Sequence, residues 1–85
     1  MADQFTYNLK QSLKIFQETW TERDAFRMKH KIEASGNTAQ WETVFGAAQA
    51  RAEELFQPAL LDLDNGIPPT LVLEQLLERL EVCRN

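Results

Sequence analysis

The stretch RDAFRMKHK, residues 23 to 31, sets Arg23, Arg27, Lys29 and Lys31 beside His30 in an 85-residue chain of net charge −4. At about 100° per residue, a helix gathers Arg23, Arg27, Lys31 and His30 into an arc of about 100°, with Phe26 just outside it. A face that binds phosphate or carboxylate needs this combination, cations converging along one side with an aromatic ring available for stacking. An ordinary solvated helix face carries the same residues, and Glu22, Asp24 and Glu33 stand close enough along the helix to neutralise much of it.

The charge balance favours one class of partner. Residues 1–36 hold six Lys/Arg against five Asp/Glu, and residues 37–85 hold three against eight. Phosphate attraction supplies most non-specific nucleic-acid affinity and shows as a basic balance, so the acidic total disfavours nucleic acid as a partner without excluding a local patch. The acidic part of another protein suits the stripe better.

Other chemistries find less support. His30 is the single histidine, and no Cys, Asp or Glu stands at a recognised ligand spacing from it, so no metal site is expected. As a general base it would need an orienting carboxylate and a nucleophile. Asp24 and Ser35 lie in the right part of the chain, but their spacing singles out neither. Cys83 falls on an apolar helix face with Arg84 as its one cationic neighbour, which suits a small hydrophobe better than a reactive thiol. DLDNG, residues 62–66, resembles the start of a calcium loop. Pro68 and Pro69 then occupy the middle of the twelve-residue span that the remaining ligands would need. No glycine-rich phosphate loop, nucleophile elbow or paired CxxC appears, so no catalytic residue, enzyme activity or cofactor is expected.

Composition bounds the rest. A hydrophobic share of 44% with 26% charged residues belongs to folded rather than disordered chains, and 85 residues suffice for a single helical domain, 1–85. One cysteine makes no internal disulfide, and MADQFTYNLK lacks a secretory leader, so a cytoplasmic protein is expected. Apolar runs of two to four residues are far short of the roughly 18 that cross a bilayer.

The apolar spacing is helical throughout. Phe5, Leu9, Leu13, Phe16 and Trp20 recur at spacings of four, four, three and four, an arc of about 80°. The helix is expected to start near Asp3, a suitable cap. Continued straight, the stripe would run into Arg23, Arg27 and Lys31, whereas the next apolar residues, Ala25, Met28 and Ile32, lie about 120° away. A seam cannot turn into three unpaired cations. Either the helix bends and restarts near Thr21, with Thr21 and Asp24 as a capping box, or one unbroken helix faces different partners at its two ends. The first is the preferred expectation.

Asn37 with Gln40 is expected to cap a second helix over about 38–64, with a kink or restart at Pro58. On it Trp41, Val44, Phe45, Ala48, Ala52, Leu55 and Phe56 share an arc of about 120°, and the small middle of that face invites a close helix crossing. A third helix over about 69–83 has Val72, Leu73, Leu76, Leu77, Leu80 and Cys83 on its apolar face and Glu74, Glu78 and Glu81 as an opposite acidic stripe. The aromatic residues are expected mostly in the core.

The sequence therefore predicts an all-α chain, a small three- to four-helix antiparallel bundle. Its expected function is that of a non-enzymatic protein–protein interaction module, a small adaptor, inhibitor or chaperone-like regulator that presents preformed helix faces to a partner protein. Arg23, Phe26, Arg27, His30 and Lys31 are its candidate binding residues, with Glu74, Glu78 and Glu81 as a second, acidic face. Homodimerisation is a further expectation, because so much apolar stripe exceeds what so small a body can cover. The alternative reading is a nucleic-acid-associated regulator that uses the Arg23/Arg27/Lys31 stripe, or an acidic mimic of nucleic acid.

Overall fold

Gly36 and Gly66 sit at φ +89° and +85°, a left-handed conformation that glycine adopts without a Cβ penalty. Each closes a helix through the same pair of bonds. Asn37 N–H donates to the Ile32 carbonyl and Gly36 N–H to that of Glu33, while Ile67 N–H donates to Asp62 and Gly66 N–H to Leu63. These are Schellman caps, and they satisfy carbonyls that the helix ends would otherwise strand.

The computed structural model describes residues 4–84, with side chains through residue 82. The expected cap Asp3 and the Cys83 thiol lie outside the described residues. Three helices account for the fold, α1 (Gln4–Ala34), α2 (Trp41–Asp64) and α3 (Pro69–Arg84), with no strand among the described residues. Among the described residues, no helix is long and apolar enough to cross a membrane. α2 begins at Trp41 with Gln40 as its cap residue and no side-chain capping bond. The expected Asn37–Gln40 box does not form, because α2 starts at Trp41, four residues past Asn37, whose amide donates to Ser35 Oγ. α2 also continues through Pro58 as one helix, without a restart.

The expected break near Thr21 is absent, since α1 is continuous. Neither residue of the supposed capping box caps anything. Thr21 Oγ1 donates back to the Gln17 carbonyl at 2.8 Å, a bond that satisfies a threonine inside a helix, and Asp24 turns inward to Arg51. The buried face still rotates, by a different route. Leu9, Leu13, Gln17, Thr21 and Ala25 are all buried or half-buried and stand four residues apart, so the contact line moves about 40° round the helix at every step. Three such steps turn the face by the required 120° or so without interrupting a backbone hydrogen bond.

α2 takes up both ends of that precessing line. Lys10 forms an ion pair with Asp64, Asp24 meets Arg51 and Phe26 meets Trp41, so contacts run in opposite order along the two helices. The core accordingly divides. In the lower part Leu13 joins Ala52, Phe56, Ala59 and Leu63 of α2 and Val72, Leu76 and Leu80 of α3. Phe56 is wholly buried, with Phe16 and Trp20 edge-on to it at centroid distances of 5.6 and 6.2 Å. In the upper part Ala25 meets Val44 and Ala48, flanked by Met28, Ile32, Ala39 and Phe45. Among the described residues, none of α3 belongs to this second cluster, so the upper part is built there from α1 and α2, a two-helix arm. Of its fully buried residues only Val44 is larger than alanine, and burying one such side chain stabilises by roughly 1.5–3 kcal/mol. The lower, three-helix part carries most of the burial.

The small faces of α2 permit the close crossing, with Ala48 and Ala52 both wholly buried. The aromatics are less enclosed than expected. Phe5 is 59% exposed, Phe16 40% and Trp41 38%, because α3 packs on α2 and touches α1 only sparsely. The molecule is correspondingly long, 54 × 22 × 14 Å.

Candidate functional site

The sparse contact between α1 and α3 leaves a groove of about 420 Å³ between them. Its α1 wall is Phe16, Thr19 and Trp20, continued by Arg23 and Arg27, and its α3 wall is Leu77, Leu80 and Glu81. The wall composition follows from the helix wheel. Phe5, Phe16, Arg23 and Arg27 fall within about 40° of one another on α1, so the apolar stripe does run into the cations, but along an edge that α2 covers only in part, through the Phe56 ring against Phe16. A cation there keeps its water and needs no buried counter-charge.

Of the sequence-predicted residues, Arg23 and Arg27 line this groove and Glu81 faces them across it. Lys31 and His30 are exposed farther along α1, on the arm that α3 does not reach. Phe26 parts from the stripe. It is 55% exposed and leans on Trp41 at 4.8 Å between centroids, with Phe45 stacked behind Trp41 at 5.7 Å. Glu74 and Glu78 are exposed on α3, Glu78 beside Leu55, Arg79 and Val82.

The expected neutralisation of the stripe does not occur. Glu33 pairs with Lys29 at 3.2 Å, and Asp24, only 2% exposed, points to Arg51 at 3.6 Å. Among the described residues, no ion pair involves Arg23, Arg27, Lys31, Glu74, Glu78 or Glu81.

Sequence reasoning placed Phe16 and Leu77 in the core, whereas Phe16 is 40% and Leu77 56% exposed as the two apolar walls of the groove. The signal was the shared stripe of Phe5, Phe16 and Arg23, which a helix cannot bury as a unit. Asp24 and Arg51 were also missed. Their pair sits between the two core clusters, and the Arg51 guanidinium lies 5.9 Å from the centre of the Trp20 ring.

Grooves of about 560 and 610 Å³ elsewhere are lined largely by Glu, Gln, Asp and Asn side chains, with no His or Cys. No group of three potential metal ligands stands together among the described residues. Compared with known proteins, the chain matches no family model, no curated sequence and no solved structure.

Proposed function

We propose that this chain is a non-enzymatic protein–protein interaction module, an antiparallel three-helix bundle whose α1/α3 groove receives a helix of a partner protein. The observation that carries the reading is the pairing, in one groove, of half-exposed Phe16 and Leu77 with two arginines that have no ion-pair partner among the described residues. Helix-in-groove recognition needs that combination, an apolar trough for residues at i, i+3/i+4 and i+7 and flanking charge to set the register. The reversed contact order of α1 and α2 and the short connection from α2 to α3 support the antiparallel reading.

The nucleic-acid reading fares worse on the same geometry. Glu81 beside Arg23 and Arg27 repels a phosphate as strongly as it welcomes a basic or amide-bearing side chain, and the chain is acidic overall.

A photo-cross-linking residue placed at Leu77 in cells that express the protein tests the proposal. An adduct heavier than the chain is expected from Leu77 and not from Ala50, which is exposed on α2 and lies outside the groove. Equal labelling at both positions, or none at Leu77, would discard the groove as the binding surface.

A further inference from the structure

We infer that the α1/α3 face docks a second copy of this chain about a two-fold axis, Arg23, Arg27 and Lys31 of one copy lying along Glu81, Glu78 and Glu74 of the other. The inference rests on the reading of this face as a protein-binding surface and names its occupant.

A two-fold interface uses one patch twice, so that patch must hold both members of every pair it makes. Arg23 and Arg27 stand on one wall with Phe16, and Glu81 on the other with Leu77. The intervals agree as well. At 1.5 Å rise per residue, Arg23, Arg27 and Lys31 follow at about 6 Å each, and Glu81, Glu78 and Glu74 at about 4.5 and 6 Å. Matching those rows requires the partner's α3 to run opposite to α1. Within one chain α1 and α3 run the same way, so a two-fold axis perpendicular to the bundle supplies the required opposition, and supplies it twice. Arg23, Arg27 and Glu81 carry both signs in the one groove, and the acidic row continues from Glu81 onto the exposed outer side of α3 through Glu78 and Glu74.

The shape agrees with this occupant. Glu81, near the end of α3, reaches the level of Arg23 and Arg27, and among the described residues the cluster of the arm beyond holds only α1, α2 and the loop before α2. A partner α3 set with its Glu81 at Arg23 continues along that arm, each copy covering what the other leaves bare. The outward face of α3 is suited to being covered, since Leu71, Leu77 and Val82 flank the glutamates at 44%, 56% and 74% exposure.

The area is sufficient. The chain exposes 6157 Å², whereas a compact monomer of 9.8 kDa exposes about 5,200 Å². The surplus of about 1,000 Å² exceeds the roughly 800 Å² that each partner gives to a standard interface. The radius of gyration, 15.0 Å, likewise exceeds the roughly 12 Å of a compact chain of this length.

Sedimentation equilibrium of the full chain from about 1 μM to 0.5 mM, at low and high salt, reads the association directly. A salt-weakened dimer is expected. Arg23→Glu/Arg27→Glu/Lys31→Glu and, separately, Glu74→Lys/Glu78→Lys/Glu81→Lys should each loosen it by on the order of 100-fold, since six exposed pairs worth about twofold each are reversed. All six positions are solvent-exposed, and circular dichroism checks that both variants stay folded. Mixing the two variants should restore a mixed dimer, because every contact is then again between opposite charges. A chain monomeric throughout, or a dimer indifferent to both reversals, overturns the inference. If the chain is monomeric yet Leu77 cross-links to a different protein, the second copy falls while the groove stands as a binding surface. If Leu77 yields no adduct, that surface falls too.

Discussion

Removing the two halves of the Asp24–Arg51 pair should have very unequal consequences. Asp24 is buried at 2% side-chain exposure, whereas Arg51 keeps 42% of its side chain in water. At 3.6 Å the attraction is about 4–5 kcal/mol for an effective dielectric constant of about 20. Against it stand several kcal/mol for drying the carboxylate. A further penalty of about 1–3 kcal/mol applies to Oδ2, which has no hydrogen-bond partner among the described residues. These terms nearly cancel. Asp24→Asn keeps the shape and removes the charge that must be dried, so it should alter stability by less than about 1 kcal/mol in either direction. Arg51→Met leaves the carboxylate buried without its counter-charge and takes the guanidinium off Trp20, and should cost about 3–5 kcal/mol. In a chain of this size that is a fall in Tm on the order of 15–25 °C. Urea unfolding followed by circular dichroism measures both variants. Equal losses for the two variants, or a larger loss for Asp24→Asn, would refute this reasoning, because they would mean that the pair stabilises the fold by far more than its desolvation costs.

Two further outcomes are expected. Ala52→Leu puts a branched side chain where α2 is wholly buried against its neighbours and should cost about 1–3 kcal/mol through overpacking, read as a lower urea midpoint, whereas Ala50→Leu on the exposed side of the same helix should change little. Gly66→Ala and Gly46→Ala should act with opposite sign although neither Cβ would meet an atom within 4 Å: Gly66 at φ +85° loses about 1–2 kcal/mol to backbone strain, while Gly46 within α2 gains about 0.5–1 kcal/mol, both measurable as shifts in Tm.

What the sequence by itself determined is the helical content and where the chain turns. Gly36 and Gly66 stop α1 and α2 because few other residues tolerate their φ, and the 3.6-residue periodicity of Leu9, Leu13, Val44, Ala48, Ala52, Phe56, Val72, Leu76 and Leu80 marks core faces without reference to any neighbour. The rotation of the buried face of α1 was legible too, as was the solvent position of Arg23, Arg27 and Lys31. Only the tertiary structure decided how that rotation is made. The i+4 ridge through Gln17 and Thr21 is polar, so hydropathy sees a gap there, and whether the gap is a bend or a buried crossing depends on what α2 brings opposite it. For the same reason Asp24, a surface residue by type, lies inside because Arg51 arrives beside it from α2. Phe16 and Leu77 have core-like spacing but remain half in water, since α3 spends its apolar face on α2 and never closes against α1. Periodicity reports which side of a helix avoids water; it carries no information on which helices come near enough to exclude it.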